Sequence, residues 1–413
     1  MTAEARRGLA RVVVTGMGIV SCLGNTLDEV ASNLRVGRSG ITRIAAWRER
    51  GLMSQVAGVA SVQAETPFEH KFERFMGDTA RFACHAARKA IADAGLEPQR
   101  LRSPRAGAVV GSGVGAMAAY DLALGIAQAR GSDKISPCTV PQVMGSTASA
   151  SIAQCFGVEG TCYSPSAACT TSALALGQAM QLIQGGHQDL MLAGGSEALH
   201  DNTALMFDAM GALSRRFNDT PGQASRPYDL SRDGFVLAAG GGVLVLESLA
   251  HARARGARIY AELKAFSHGT DSTAMVAPQA SGIARVLQAG VADTPHYLDY
   301  INVHAPSTPL GDRAEMLALR QVFGARLAPF SSTKRFSGHS LGACGAHEAI
   351  YTLLMMRDGF IAGMGEIEAP DPCIEGLPVV HASRPVRLER ALSLSYGFGG
   401  SCAALIFEAW RGH

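Results

Sequence analysis

Cys169, His304, His339 and Lys334 are the residues of this chain whose types and settings could carry covalent chemistry. Cys169 stands in Tyr163-Ser-Pro-Ser-Ala-Ala-Cys169-Thr-Thr-Ser172, between a β-prone segment (Gly160-Thr-Cys-Tyr163) and a long run of helix formers, Leu174 to Ile183. A thiol at a helix N-terminus faces free backbone N–H groups and the positive end of the dipole, which stabilise a thiolate and lower its pKa. A cysteine among apolar residues is more often a small buried hydrophobe. Here the small residues on both sides leave room for an incoming acyl group. His304 directly follows Tyr300-Ile-Asn-Val303, at the carboxyl end of a strand, where α/β proteins place reactive groups. His339 lies in the glycine-punctuated stretch Ser332-Thr-Lys334-Arg-Phe-Ser-Gly-His339, with Glu348 further along in an apolar helical pattern. One such histidine reads as a satisfied structural residue. Two, each beside glycine and hydroxyl residues, supply the polar partners that a reactive cysteine needs. Ser395-Tyr-Gly-Phe398-Gly-Gly-Ser401 is a turn between strands, suited to presenting backbone N–H groups.

The surrounding elements alternate. Residues 11–15 read as a buried strand, followed by a turn at Gly16-Met-Gly18 and a helix from Thr26 to Leu34, capped by Asn25 or Thr26. Residues 66–94 carry a helical pattern whose Lys71, Arg74, Arg81 and Arg88 fit a solvated face. Ala106 to Val110 is a strand, and Gly111-Ser-Gly-Val-Gly-Ala116 after it nearly matches a dinucleotide-binding fingerprint. No second strand follows to present Asp133, so the glycines read better as a site of close backbone packing beside the Cys169 turn. The helix through Leu174 is apolar on nearly every face, as in a large core, and stops at Gly185-Gly186 before a strand at Leu190 to Ala193. Residues 207–213 and 224–229 look loop-like, and a glycine run then leads into a strand ending at Leu246. A charged helix from Glu247 to Gly256 marks the boundary between halves, 1–252 and 253–413. Beyond it come strand 259–265, helix 282–289 and strand 300–303. This alternation predicts an α/β protein with parallel sheets.

Composition narrows the class. Hydrophobic residues make up 47% of 413, charged residues 17%, and the net charge is +2, so no global field draws the chain to nucleic acid or a membrane. The nine cysteines are odd in number and form no CxxC pair, which argues against a disulfide framework or zinc site and for a reducing, cytoplasmic setting. The spacing of Cys155, Cys162 and Cys169 reads as chance. Arg6, Arg7 and Arg11 before Val12 weakly imitate a signal peptide, but glycines interrupt the apolar part early. No apolar run reaches the ~18 residues of a membrane helix.

Taken together, Ser166-Ala-Ala-Cys169-Thr-Thr-Ser, Asn302-Val-His304 with Ser307-Thr-Pro-Leu-Gly-Asp312, Thr333-Lys334 with Gly338-His339, and Gly397-Phe398-Gly-Gly400 resemble the β-ketoacyl-acyl-carrier-protein synthases. The likeness covers almost the whole chain. Phe207 to Ser214, Asn218-Asp-Thr-Pro221 and Ala254 to Glu262 are most similar to the type I elongating bacterial enzymes. The resemblance implies a thiolase-like fold, two pseudo-symmetric halves in five α-β-α-β-α layers, and a dimer meeting along the strand before Cys169.

It also implies roles. Cys169 would take an acyl chain from a carrier-protein thioester, with the N–H groups of Cys169 and Phe398 as the oxyanion hole. His304 and His339 would stabilise the enolate formed as malonyl carrier protein loses CO2, and Lys334 would orient the His339 region through a network including Glu348. No metal or organic cofactor is implied. Val114, Phe207, Thr308 and Phe398 would bind the acyl chain and arm, and Lys71, Arg74 and Arg130 would meet the acidic carrier.

Three departures stand out: Ala305-Pro306 where the family has Gly and Thr, Leu394 for an Asn, and Ser401-Cys402 for Thr-Asn. Pro306 offers neither hydroxyl nor N–H, so one arm contact worth about 1 kcal/mol is lost. The reading is therefore a condensing synthase of fatty acid or related polyketide or polyene elongation. The alternatives are a priming acyltransferase that leaves malonate intact and a chain-length partner in a heterodimer.

Overall fold

The computed structural model describes residues 8–292 and 297–412; Arg6 and Arg7 lie outside them. Among the described residues the main sheet is built from ten strands. The first five are β1 (Val12–Val20), β2 (Ala106–Gly111), β3 (Cys162–Tyr163), β4 (Leu190–Glu197) and β5 (Gly240–Ser248). The second five are β6 (Ala261–Thr270), β7 (Tyr300–Asn302), β8 (Phe330–Ser331), β9 (Arg390–Tyr396) and β10 (Ser401–Ala409). Their order is β8-β7-β9-β10-β6-β1-β5-β4-β2-β3.

This is one five-strand unit used twice. In each half the second strand lies between the third and fourth, parallel to both, and the fifth and first run antiparallel beyond. The halves join where Val13 and Val14 of β1 meet Glu262 and Ala261 of β6. The repeat, invisible residue by residue, is plain in the pairing. The sheets are accordingly mixed and not parallel as expected: β4 and β5 are not separated by a complete crossover helix packed on the sheet, so β5 returns antiparallel.

Two helices occupy the middle layer, α3 (Thr171–Gln184) and α6 (Cys344–Asp358), packed on each other and on strands of both halves. Gly345 permits this approach, since a Cβ there would meet Ala173 N at 2.8 Å. The outer layers hold α1 (Asp78–Asp93) with α2 (Thr147–Phe156), and α4 (Ala280–Val291) with α5 (Pro309–Phe323). The result is the five-layer thiolase-like arrangement. No helix among the described residues is long and apolar enough to cross a membrane.

Several local expectations are corrected. Gly16-Met-Gly18 does not turn; β1 continues through it to Val20. The glycines serve packing, because a Cβ on Gly18 would lie 2.0 Å from Ala86 O, and on Gly16 2.4 Å from Ala90 O, of alanine-rich α1. The helical pattern of residues 66–94 breaks into His70–Glu73 and α1, with extended Gly77 capping α1. Phe207 sits in a helix, Asp201–Ala209, rather than a loop. The helix marking the boundary is only Leu249–Ala254, and Glu247 belongs to β5.

Glu247 is fully buried because its charge is answered inside. Arg255 binds it at 2.6 Å, His251 at 2.5 Å, and Thr15 donates its hydroxyl. Burial raises the carboxyl pKa, but these partners outweigh it and hold the group at about 2. Its stabilising effect is therefore complete above the ordinary carboxyl range and is lost as pH falls toward about 2. Glu247→Ala leaves Arg255 buried without its counter-charge and should cost about 3–5 kcal/mol near neutral pH. Denaturant melts should show the gap from the parent protein closing below pH ~4.

Candidate active site

The chain leaving the third strand of each half, β3 and β8, supplies one side of the site. After β3 the chain turns through Ala168, held at φ 48°, and places Cys169 one turn before α3. After β8 it enters a short helix, Lys334–Ser337, and then reaches His339. The end of β7 supplies His304, and the β9–β10 turn supplies Phe398. Strain at Ala168, of order 1–3 kcal/mol, is held by bonds on either side. Ala167 N donates to Thr171 Oγ1 at 2.8 Å, and Cys344 Sγ donates to Cys169 O at 3.1 Å.

Cys169 Sγ and ring nitrogens of His304 and His339 all lie within 4.8 Å of one another. The imidazoles meet edge to face, centroids 5.0 Å apart. They open on a cavity of about 410 Å³ whose lining also includes Phe207, Thr308 and Phe398. Gly397 is needed beneath it, since a Cβ there would lie 2.9 Å from Cys169 N. The Phe398 backbone N–H favours the thiolate form of Cys169.

Lys334 fixes the state of His304. Its ammonium, almost wholly buried, reaches His304 Nδ1 at 3.1 Å, His304 O at 2.8 Å and Glu348 Oε1. An ammonium only donates, so Nδ1 must accept, and the ring proton sits on Nε2. Burial alone would lower the Lys334 pKa, but Glu348 outweighs it and the net shift is upward. Burial pushes the Glu348 carboxyl up to about 7 with Lys334 opposing. Three ammonium protons, each with an acceptor, favour the charged lysine.

Burial, then Lys334 and the neighbouring ring, drive His304 well below the ordinary histidine range, and burial and Lys334 do the same to His339. Both are neutral imidazoles near pH 7. Among the described residues His339 Nδ1 has no hydrogen-bond partner, so its proton is free to change nitrogens.

Two expectations change here. Cys169 is not a low-pKa thiol: burial pushes it up to about 12, which Lys334 and the Phe398 N–H only partly offset. Desolvation of a thiolate beats the helix terminus. The group rests as a thiol and must give its proton to a neighbour as it attacks. Lys334 contacts His304 rather than the His339 region.

Other expected residues fall outside the cavity. Val114 is not in its lining: its N–H binds Glu197 Oε1, and its side chain is 37% exposed. Glu197 also takes the N–H groups of Gly113 and Gly342, so the near-fingerprint at 111–116 has its donors occupied by a carboxylate of the chain itself. Gly111 instead lets Pro165 O approach. Lys71 pairs with Glu69 at a different cavity, Arg74 stacks on Phe75, and Arg130 ends an exposed helix.

Glu315 was missed by sequence reasoning. It accepts from His304 N at 2.7 Å and Ala305 N at 2.8 Å, anchoring the loop that carries His304. A carboxylate on the apolar face of α5 was its available signal. Tyr396, its ring 4.3 Å from His304, was also missed.

The chain is similar to known proteins over nearly its whole length. Residues 9–252 match the beta-ketoacyl synthase N-terminal domain, and residues 260–368 the C-terminal domain. Over 409 residues the chain is 44% identical to 3-oxoacyl-[acyl-carrier-protein] synthase 1 of Haemophilus influenzae, covering 98% of this chain and 100% of that protein. A beta-ketoacyl synthase structure from Burkholderia phymatum superposes with TM-score 0.91 at 34% identity, over 97% of this chain and 100% of that one. A type II polyketide ketosynthase, solved with its acyl-carrier protein and a hexaketide, gives TM-score 0.89 at 32% identity, over 98% and 100%.

Proposed function

Because the chain belongs to the β-ketoacyl synthase family and is a condensing acyltransferase of fatty acid elongation, working on carrier-bound substrates, we propose that its reaction runs on Cys169, His304 and His339. The observation that carries this reading is the convergence of their reactive atoms within 4.8 Å on one cavity.

In the first step Cys169 Sγ attacks the thioester carbonyl of an acyl carrier. His339, whose tautomer nothing fixes, takes the thiol proton and passes it to the departing arm thiol. The N–H groups of Cys169 and Phe398 hold the oxyanion. Malonyl carrier then enters, its C–CO2 bond breaks, and the electron pair becomes an enolate. His304 donates Nε2–H to the enolate oxygen, and His339 assists. The carbanion attacks the acyl-Cys carbonyl, and collapse returns Cys169 with a β-ketoacyl carrier two carbons longer. Lys334, paired with Glu348, keeps His304 in its donor tautomer.

In the same reading the chain divides into halves 1–252 and 253–413, and Phe207, Thr308 and Phe398 meet acyl chain and arm. Val114 would contribute only from the edge. Lys71, Arg74 and Arg130 dock the carrier. β3, an exposed sheet edge, is the strand along which two copies pair, with a ketosynthase-like partner as the alternative.

A panel of acyl carriers with malonyl carrier, read by carrier mass, tests the reaction. A β-ketoacyl product extended by two carbons is expected. Intact malonyl carrier beside an acylated Cys169 would favour the transferase reading, which Pro306 in the cavity lining makes specific.

A further inference from the structure

The catalytic cavity is mostly apolar, and among the described residues the only hydroxyls in its lining are those of Thr308 and Tyr396. Asp233, also in the wall, is occupied by Ser214 Oγ and by the N–H groups of Arg215 and Arg216. The loop after β7 offers no other hydroxyl to the cavity. Ala305 and Pro306 have no polar side chain, and Ser307 Oγ accepts from Arg226 N at 3.0 Å.

Tyr396 ends β9, with its ring against His304 at 4.3 Å between centroids. The residue is 5% exposed, yet its hydroxyl has no hydrogen-bond partner among the described residues. Thr308 is the N-cap of α5, but its side chain does not cap the helix. Gly311 leaves room for both hydroxyls: a Cβ on it would lie 2.5 Å from Thr308 Oγ1 and 3.1 Å from Tyr396 Oη. A buried hydroxyl without a partner is costly, and in a substrate cavity the partner can arrive with the substrate.

Position and charge select that partner. The thioester must reach Cys169 and the two histidines, while Met210, Val276 and Leu310 form an exposed rim to the same cavity. Thr308 and Gly311 flank Leu310 in the chain, and Tyr396 joins them to His304, so both hydroxyls lie along the route from rim to thioester. Burial, then Glu315 and Asp312, raise the phenol pKa, which makes Tyr396 a neutral donor. Those two carboxyl groups hold the backbone of the same loop, at residues 304, 305, 307 and 308, and disfavour an anion beside it. A neutral carbonyl fits better than the malonyl carboxylate.

Resting on the condensation assigned above, we propose that Tyr396 is a specificity-determining residue whose hydroxyl donates to the carbonyl of the carrier arm's amide nearest the thioester. Thr308 Oγ1 is the second donor to that oxygen, which has two lone pairs to receive them. The pair fixes how far the arm enters, and so where the thioester meets His304.

Tyr396→Phe tests this, because it keeps the ring on His304 and removes only the oxygen. Enzyme acylated on Cys169 is given the malonyl thioester of N-acetylcysteamine, which keeps the amide, or that of propanethiol, which lacks it. The β-ketoacyl product is followed by mass. The variant's kcat/KM should fall about fivefold with the first, through KM, and less than about twofold with the second. Its melting temperature should not fall, since no bond within the fold is lost. Binding of pantetheine, measured by calorimetry without turnover, should weaken about fivefold. That weakening in an enzyme that failed to condense would fault the Cys169 reading and uphold this one. Equal losses on both thioesters, unchanged pantetheine binding, or a lower melting temperature would overturn the proposal.

Discussion

Cys169→Ala should abolish the acyl-enzyme and lower condensation by at least about 10⁴-fold, while slow decarboxylation of malonyl carrier continues. The reason is a division of labour. The sulfur alone can hold the acyl group, whereas the enolate needs only the donors on His304 and His339, which the substitution does not touch. Alanine removes one atom from a site already walled by small residues, so the fold should stand. Decarboxylation is measured as CO2 released from malonyl carrier, and condensation as the longer β-ketoacyl carrier. Loss of both together would mean that the thiol itself serves the decarboxylation.

Lys334→Met should have the second largest effect, and on two properties at once. The ammonium gives all three protons away, so its removal leaves Glu348, 2% exposed, with its charge unanswered. Breaking such a pair costs about 3–5 kcal/mol, less where the carboxyl can protonate instead. Glu348, already pushed up to about 7, has that escape, so the variant should regain stability as pH falls below neutrality.

The catalytic loss has a different cause. Without a donor at Nδ1, His304 can move its proton there and lose the Nε2–H that faces substrate. Condensation should fall about 10²–10³-fold. The pH profile separates this from simple destabilisation. Lys334 is one of the groups that depress His304 and His339, so removing it raises both, and imidazolium forms at higher pH. The acid limb of decarboxylation should therefore move up in pH. An unchanged limb with reduced rate would count against the tautomer argument.

How far the sequence announced this arrangement depends on what each residue answers to. Cys169, His304, His339 and Lys334 sit at strand and loop ends marked by glycine and hydroxyl residues, and local sequence is enough to single them out. The helix through Leu174 was legible because all its faces are apolar, as the middle layer requires. The failures share another cause, in that each depends on a neighbour far away in the chain. Gly16 and Gly18 look like a turn until Ala86 and Ala90 of α1 are seen against them. Glu247 looks like a helix start until Thr15 and Arg255 enclose it. The Cys169 thiol looks acidic from its helix terminus, yet burial by both halves decides its pKa. Glu315 was hidden for the same reason, its partners being backbone N–H groups on another element.

Acyl-enzyme capture tests the account most directly. The protein, incubated with an acyl carrier alone, is digested and mapped by mass, and malonyl carrier is then added to a second portion. The account predicts one acyl group, on Cys169, that disappears when malonyl carrier arrives and reappears as a β-ketoacyl carrier with release of CO2. An acyl group on another residue, or one on Cys169 that malonyl carrier cannot discharge, would contradict it.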